Sequence, residues 1–291
     1  MVGTRTKLNS MLVVGALAAA SFFLPVASWA QTSVNQIPQP PVAMLVPHPS
    51  ALYYAYFNWL LAALVFAFIA REAWRTRSAF PFAFTIAGAM GVFVEPIYDS
   101  NMHVWFSHID SPLFKSYNIA YPWYALIGES MMAGPIYWMY RQFQQGVSTR
   151  GLWGYFLLWW LFQMLLEIPG DLTNSYIYYG PHPFRILGFP AWLGLCLGFG
   201  IPLAGYVAYK LREILTGTRL FLMAVVLIPV TLFGSQLIGW PMWVTLNAAR
   251  GPMATQLAAL LSLAFSLGGY YCLTLFNANE RARAAGSDAA K

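Results

Sequence analysis

The sequence predicts an all-α protein: a polytopic membrane bundle of seven transmembrane helices that follows a cleavable signal peptide. Three observations carry this. The 291 residues are 59% hydrophobic and only 9% charged, whereas a soluble globular domain has about a quarter of its residues charged. Seven runs of mostly apolar residues approach the ~20 residues that a helix needs to cross a bilayer. Lys and Arg alternate between the connecting segments in the way that sets membrane orientation.

The elements follow in order. Residues 1–30 read as a signal peptide, with Arg5 and Lys7 as the basic region and Met11 to Pro25 as the apolar stretch. Ala-Ser-Trp-Ala (27–30) supplies small residues for cleavage after Ala30. An uncleaved first helix is the alternative. Residues 31–50 form a Pro-rich lead-in, extended and exposed on the extracytoplasmic side. The membrane domain, 51–277, contains helices at 52–70, 79–97, 118–140, 152–169, 187–209, 219–240 and 254–276. A cytoplasmic tail, 278–291, completes the chain.

Segments after the odd-numbered helices carry eleven Lys or Arg residues, and those after the even-numbered ones carry only Lys115, Arg185 and Arg250. Positive charge marks the cytoplasmic side. The expected protein is therefore multi-pass in a bacterial-type inner (cytoplasmic) membrane, N-outside and C-inside. The net charge of +6 follows from that topology and does not indicate nucleic acid as a partner.

Carboxylates are costly at bilayer depth, so each one is a functional candidate. Helix 2 ends in Glu95-Pro-Ile-Tyr-Asp99-Ser-Asn-Met-His103. Unbroken helical geometry would place Glu95, Asp99 and His103 on one face at i, i+4 and i+8, although Pro96 favours a new helical piece at this point. Helix 4 ends in Glu167-Ile-Pro-Gly-Asp171, with Gln163 one turn deeper. Glu129 is expected about twelve residues into helix 3, ~18 Å along it, among neighbours that offer no cation. Such a group is either protonated or partnered from another helix, and a protonated carboxyl in an apolar site is a ready proton donor. The candidate catalytic residues are thus Glu129, Glu95, Asp99, Glu167, Asp171 and His103. The competing structural roles are interhelical hydrogen bonding for Glu129 and helix-end solvation for Asp99, His103 and Asp171.

Cys196 and Cys272 fall within helices and read as packing residues. Tyr121, Trp123, Tyr124, Trp159, Trp160, Tyr176, Tyr178, Tyr179, Trp240 and Trp243 lie near the outer interface, where an aromatic belt is expected. The other reading of these rings is a pocket that stabilises cations through cation–π attraction. Helix 7 has no Lys for a retinal Schiff base, and the chain has no His-x-x-x-His pair, phosphate loop or Cys-x-x-Cys. No cofactor and no resident metal are expected. The alternative is a loop that gathers His48, His103, His108 and His182 with Asp99 around a metal.

Glu-Pro-Ile-Tyr-Asp-Ser-Asn-Met-His-Val-Trp-Phe (95–106) and Tyr-Pro-Trp-Tyr-Ala-Leu-Ile-Gly-Glu (121–129) resemble the spirocyclase family of avermectin biosynthesis, with its small polytopic bacterial relatives. The layout also resembles the meroterpenoid and indole-diterpene membrane cyclases, which protonate an epoxide with buried acids. The resemblance implies chemistry on a lipophilic substrate and assigns no individual catalytic residue.

The leading expectation is therefore an enzyme whose partners are a lipophilic small-molecule substrate and membrane lipids. It would carry out cyclisation, isomerisation or hydration of an isoprenoid- or polyketide-like molecule. Glu129 or Glu95 would be the acid, and Glu167 or Asp171 the base or electrostatic stabiliser. A proton-coupled transporter and a non-catalytic lipid-binding or assembly protein remain as alternatives. Protein partners are not legible in the sequence.

Overall fold

The computed structural model describes residues 37–44, 48–107, 112–248 and 250–289. The expected signal peptide and the segment holding His108 lie outside them, as does the side chain of His48. The protein is helical, with three short two-stranded pairings at one end. Its helices are α1 (His48–Thr76), α2 (Phe80–Gly91), α3 (Glu95–Met102), α4 (Trp123–Met131), α5 (Ala133–Gln144), α6 (Thr149–Leu172) and α7 (Ala191–Lys210). After these come α8 (Ile228–Gln236), α9 (Trp240–Leu246) and α10 (Pro252–Ala289). Among the described residues five helical spans are long and apolar enough to cross a membrane, or six if the bent pair α2–α3 counts as one.

Prolines explain where the remaining spans break. A proline lacks an N–H, and its ring clashes with the carbonyl four residues back. Before Pro96 the helix loosens into a turn at Val92–Val94, and α3 departs at 46° from α2. Before Pro135 the expected third span divides into α4 and α5, and Met132 donates its N–H three residues back to Glu129 (3.1 Å). Near Pro229, the span Gly217–Leu246 runs through a π-helical stretch, Met223–Leu227, before α8 begins. Pro169 and Pro202 are accommodated inside α6 and α7.

Two boundaries differ from expectation. Residues 118–121 are not helical: β2 (Phe114–Ser116) and β3 (Ile119–Tyr121) form a hairpin through Tyr117 and Asn118, both at positive φ. A two-residue loop with both centres left-handed matches the twist of a hairpin. Glu129 is consequently the seventh residue of α4, ~9 Å from its start rather than ~18 Å. At the other end of the chain, the expected tail is continuous with α10, which stays helical to Ala289.

β1 (Val104–Phe106) pairs antiparallel with β4 (Tyr176–Tyr178), and β5 (Arg185–Ile186) pairs with β6 (Phe189–Pro190). These pieces cap the end of the bundle where α3, α6 and α9 finish. The opposite end carries the arginines, tied together by Asn277 and Arg281 donating to the Val147 carbonyl and by a Lys210–Glu280 ion pair. The most buried span is α7, which contacts α5, α6, α8 and α10. Its Gly and Ala positions permit close helix approach, as in membrane bundles generally. The outward faces of α1 and α10 are apolar and exposed, with Leu60, Leu64, Leu257 and Phe276 among their residues. Cys196 is buried beside the Ser266 hydroxyl (3.2 Å), and Cys272 is exposed on α10.

Candidate functional site: a four-carboxylate cavity under a tyrosine cap

One cavity of about 90 Å³ lies beneath the strand cap, and Glu95, Asp99, Glu129 and Glu167 all line it. Four of the five acids singled out in the sequence therefore meet. The bend at Val92–Val94 aims Glu95 and Asp99 inward from α3. The α4 helix, started by Pro122 in extended conformation, brings Glu129, and α6 brings Glu167. Among the described residues no Lys, Arg or His lines the cavity. Its other walls are tyrosines, buried amides and apolar side chains from α1, α7 and α8.

The acids divide into two kinds. Glu167 accepts hydrogen bonds on one oxygen from both Tyr176 (2.9 Å) and Tyr178 (2.7 Å), and the Tyr54 hydroxyl lies 3.3 Å from that of Tyr176. Asp99 accepts from Tyr121 at 2.9 Å. In contrast, Glu95 Oε2 is buried without a protein partner, as are the Tyr98 hydroxyl and Gln236 Oε1 on the same cavity. Buried polar atoms almost always have partners. Three orphaned atoms facing one space make this cavity the candidate binding site.

The tyrosine clamp follows from local chain geometry. Successive strand side chains point to opposite faces, so Tyr176 and Tyr178 share the inward face of β4. Pairing with β1 fixes their register, Val104 opposite Tyr178 and Phe106 opposite Tyr176. Gly170 is what lets the Tyr176 ring approach α6, because a Cβ there would overlap the ring. The amides Asn58, Gln163 and Gln236 are each at most 4% exposed. Asn58 is held by a bond to the Tyr54 carbonyl (2.9 Å), and Gln163 reaches only Met132 Sδ (3.8 Å).

Two expected site residues stand elsewhere. His103 does not continue the face of Glu95 and Asp99, because it adopts a left-handed conformation (φ 55°) that ends α3. Its ring stacks on Tyr179 (4.8 Å between centroids), and Nε2 lies 3.3 Å from Asn247 Oδ1. Burial lowers its proton affinity, and the Asn247 bond works in the opposite direction. Asp171 is in the last turn of α6, outside the cavity. It receives the Tyr178 backbone N–H and sits against Gly188 in the β5–β6 turn (φ 94°), where a Cβ would overlap its carboxyl. It is a fastener for the cap. His182 is likewise a cap residue, stacked on Trp192 (6.2 Å). Its pKa is held well below the usual imidazole value, first by burial and then by Arg185 and His103 nearby.

Sequence reasoning overlooked Tyr54, Asn58, Tyr98 and the clamp itself. Tyr121, Tyr124, Tyr176 and Tyr178 are interior groups, not members of an interfacial belt, whereas Trp123 and Trp240 are more than half exposed. The signal for the clamp was the alternation Tyr176-Ile177-Tyr178, a strand pattern directly after a helix end. Among the described residues no three His, Cys, Asp or Glu side chains are grouped as a metal site. The four acids come from three helices, two from α3 and one each from α4 and α6. No protein-family model, curated protein or solved structure matches this chain.

Proposed function

We propose that the protein is an integral-membrane enzyme that performs acid–base chemistry on a lipophilic, oxygen-bearing substrate. The observation that carries this reading is the unequal treatment of four carboxylates in one cavity. Glu167 is fixed by two hydroxyl donors, while Glu95 is orphaned beside Tyr98 and Gln236. A partner that hydrogen-bonds strongly to a carboxylate favours its charged form, and a carboxyl without one in a low-dielectric site favours the acid. Pairs of carboxyls driven apart in this way are how acid and base roles are divided.

Glu95 is the proton donor to a substrate oxygen, with Glu129 as the second acid facing the same space. Glu167 accepts the proton released later or stabilises positive charge as it develops. Tyr54, Tyr98, Phe106 and Tyr124 supply ring faces and edges around that charge. A cavity of about 90 Å³ is well below the ~300–1,000 Å³ of sites that enclose a whole drug-sized ligand. It therefore takes the reacting end of the molecule, and the apolar remainder lies among the helices or in lipid. Cyclisation, isomerisation or hydration of an isoprenoid- or polyketide-like compound fits these groups, consistent with the resemblance to membrane cyclases. In this reading α4 and α5 together form the third of seven spans. The chain resides in a bacterial-type inner membrane with the capped end extracytoplasmic, after removal of residues 1–30.

A second reading, a proton-coupled carrier, draws on the same excess of carboxylates without a cation in the cavity. Mass spectrometry of lipid extracts separates the two. Cells lacking the protein are compared with cells restored by the natural chain, Glu95→Gln or Glu129→Gln. The enzyme reading expects a lipophilic species that appears with the natural chain and falls ~100-fold or more with Glu95→Gln at equal protein level. A profile indifferent to all three chains, together with acid-driven uptake in vesicles, would transfer the site to transport.

A further inference from the structure

At the arginine-rich end, a second cleft of about 230 Å³ separates the last turns of α1 and α5. Phe68, Glu72 and Arg75 line it from α1, Trp138, Arg141 and Gln142 from α5, and Gln145 from just after α5. Glu72 is bound by Arg75 through Nε (3.0 Å) and Nη2 (2.7 Å). Arg141 and Arg71 stand within electrostatic range of the same carboxylate. The two guanidinium groups that line the cleft, against one carboxylate, leave it with a net charge of about +1, and Arg75 remains half exposed. Arg141 donates Nη1 to Gln144 at 3.2 Å, which leaves the rest of its fork for another acceptor. Planar forks of this kind suit phosphate oxygens.

The walls show what is attached to that phosphate. Leu60, Leu64 and Phe68 repeat at i, i+4 and i+8, so they form one stripe along α1 that leads into the cleft. Leu60 and Leu64 are each 61% exposed, and Trp138 beside Phe68 is 41% exposed. A free phosphate has no use for that stripe. A molecule with a charged head and an acyl chain matches both halves. Basic pockets at the cytoplasmic ends of membrane helices bind anionic headgroups in this manner.

We propose that the α1–α5 cleft binds one anionic phospholipid, its phosphodiester between Arg75 and Arg141 and an acyl chain along Leu64 and Leu60. The inference depends on the chain being membrane-embedded and is independent of the chemistry in the capped cavity. The test is native mass spectrometry of the full chain released from detergent, with phosphatidylglycerol and phosphatidylcholine offered together. One phosphatidylglycerol should be retained in preference, and Arg141→Gln should weaken its retention about fivefold, the worth of one basic residue near a lipid headgroup. Gln145→Glu, at an exposed position on the cleft, should weaken it in the same direction with no demand on folding. Equal retention of the two lipids, or preference unaltered in both variants, would overturn the proposal. Displacement of the lipid by millimolar inorganic phosphate would overturn the acyl-chain part and leave a simple anion site.

Discussion

The two ends of the bundle treat the same side chain in opposite ways. At the arginine-rich end, Glu72 is 8% exposed and held by the Arg75 guanidinium at 2.7 Å. Under the strand cap, Glu95, Asp99, Glu129 and Glu167 share a cavity that no cation of the described residues lines. There, among the described residues, the direct side-chain donors to the acids are tyrosine hydroxyls. A carboxylate whose task is structural takes the cheapest partner, an opposite charge one turn away. Acids gathered without a cation cost stability, and proteins retain such groups where they act on something else.

That contrast can be broken in order of effect. On the catalytic reading, replacing Tyr176 and Tyr178 together by Phe removes both donors to Glu167 and should lower turnover about 100-fold or more, since each bond to a charged group is worth ~1.5–3 kcal/mol. Either single replacement should fall between, and product formation in membranes measures all three. No loss in the double variant would make the clamp a packing device. The second effect is on stability. His182 has a depressed pKa in the folded protein, so the unfolded chain binds more protons below its ordinary value of ~6.5. The stabilisation present above that value is lost as pH falls through it toward the folded pKa. A melting temperature that declines from pH 7 to pH 5, with a shallower decline in His182→Gln, is the expected result. His103, also lowered by burial, should account for part of the residual slope. The smallest effect belongs to Glu72→Gln. Arg75 is half exposed and exposed ion pairs contribute little, so thermal stability should drop slightly and product formation should be unchanged. A large loss of turnover in that variant would erase the distinction between the two ends.

The membrane helices and the candidate acids were legible because both rest on simple signals, long apolar runs and the carboxylates that stand out within them, whereas the meeting of four acids in one cavity was not legible. Glu95, Asp99, Glu129 and Glu167 were named from those signals alone. His103 and Asp171 were misplaced for local reasons. A left-handed residue after Met102 turns His103 away, and the tight turn at Gly188 captures Asp171. Neither depends on hydrophobic periodicity, which is what a sequence displays best. The cap was hidden because its strands are only two or three residues long, shorter than any pattern that distinguishes alternation from chance. Its tyrosines looked interfacial since they flank helix ends, and only pairing across 70 or so residues of chain, Val104 to Tyr178, turns them inward. The third span was legible as apolar and illegible as broken, although Pro135 stood in the sequence as the reason.

That long-range pairing also sets a lower limit on when the site can form during the chain's own synthesis. Glu95 is made 81 residues before Tyr176, so at ~5–20 residues per second the translating ribosome needs roughly 4–16 s to supply the strand that closes the clamp. Throughout that interval α1 to α5 can be threaded into the bilayer with their acids still open to water from the unfinished end. The catalytic reading thus makes the enzyme inactive by construction until β4 has docked on β1 and the later α7 and α8 have closed the remaining walls, and a nascent chain stalled before Tyr176 carries every acid of the cavity but no chemistry.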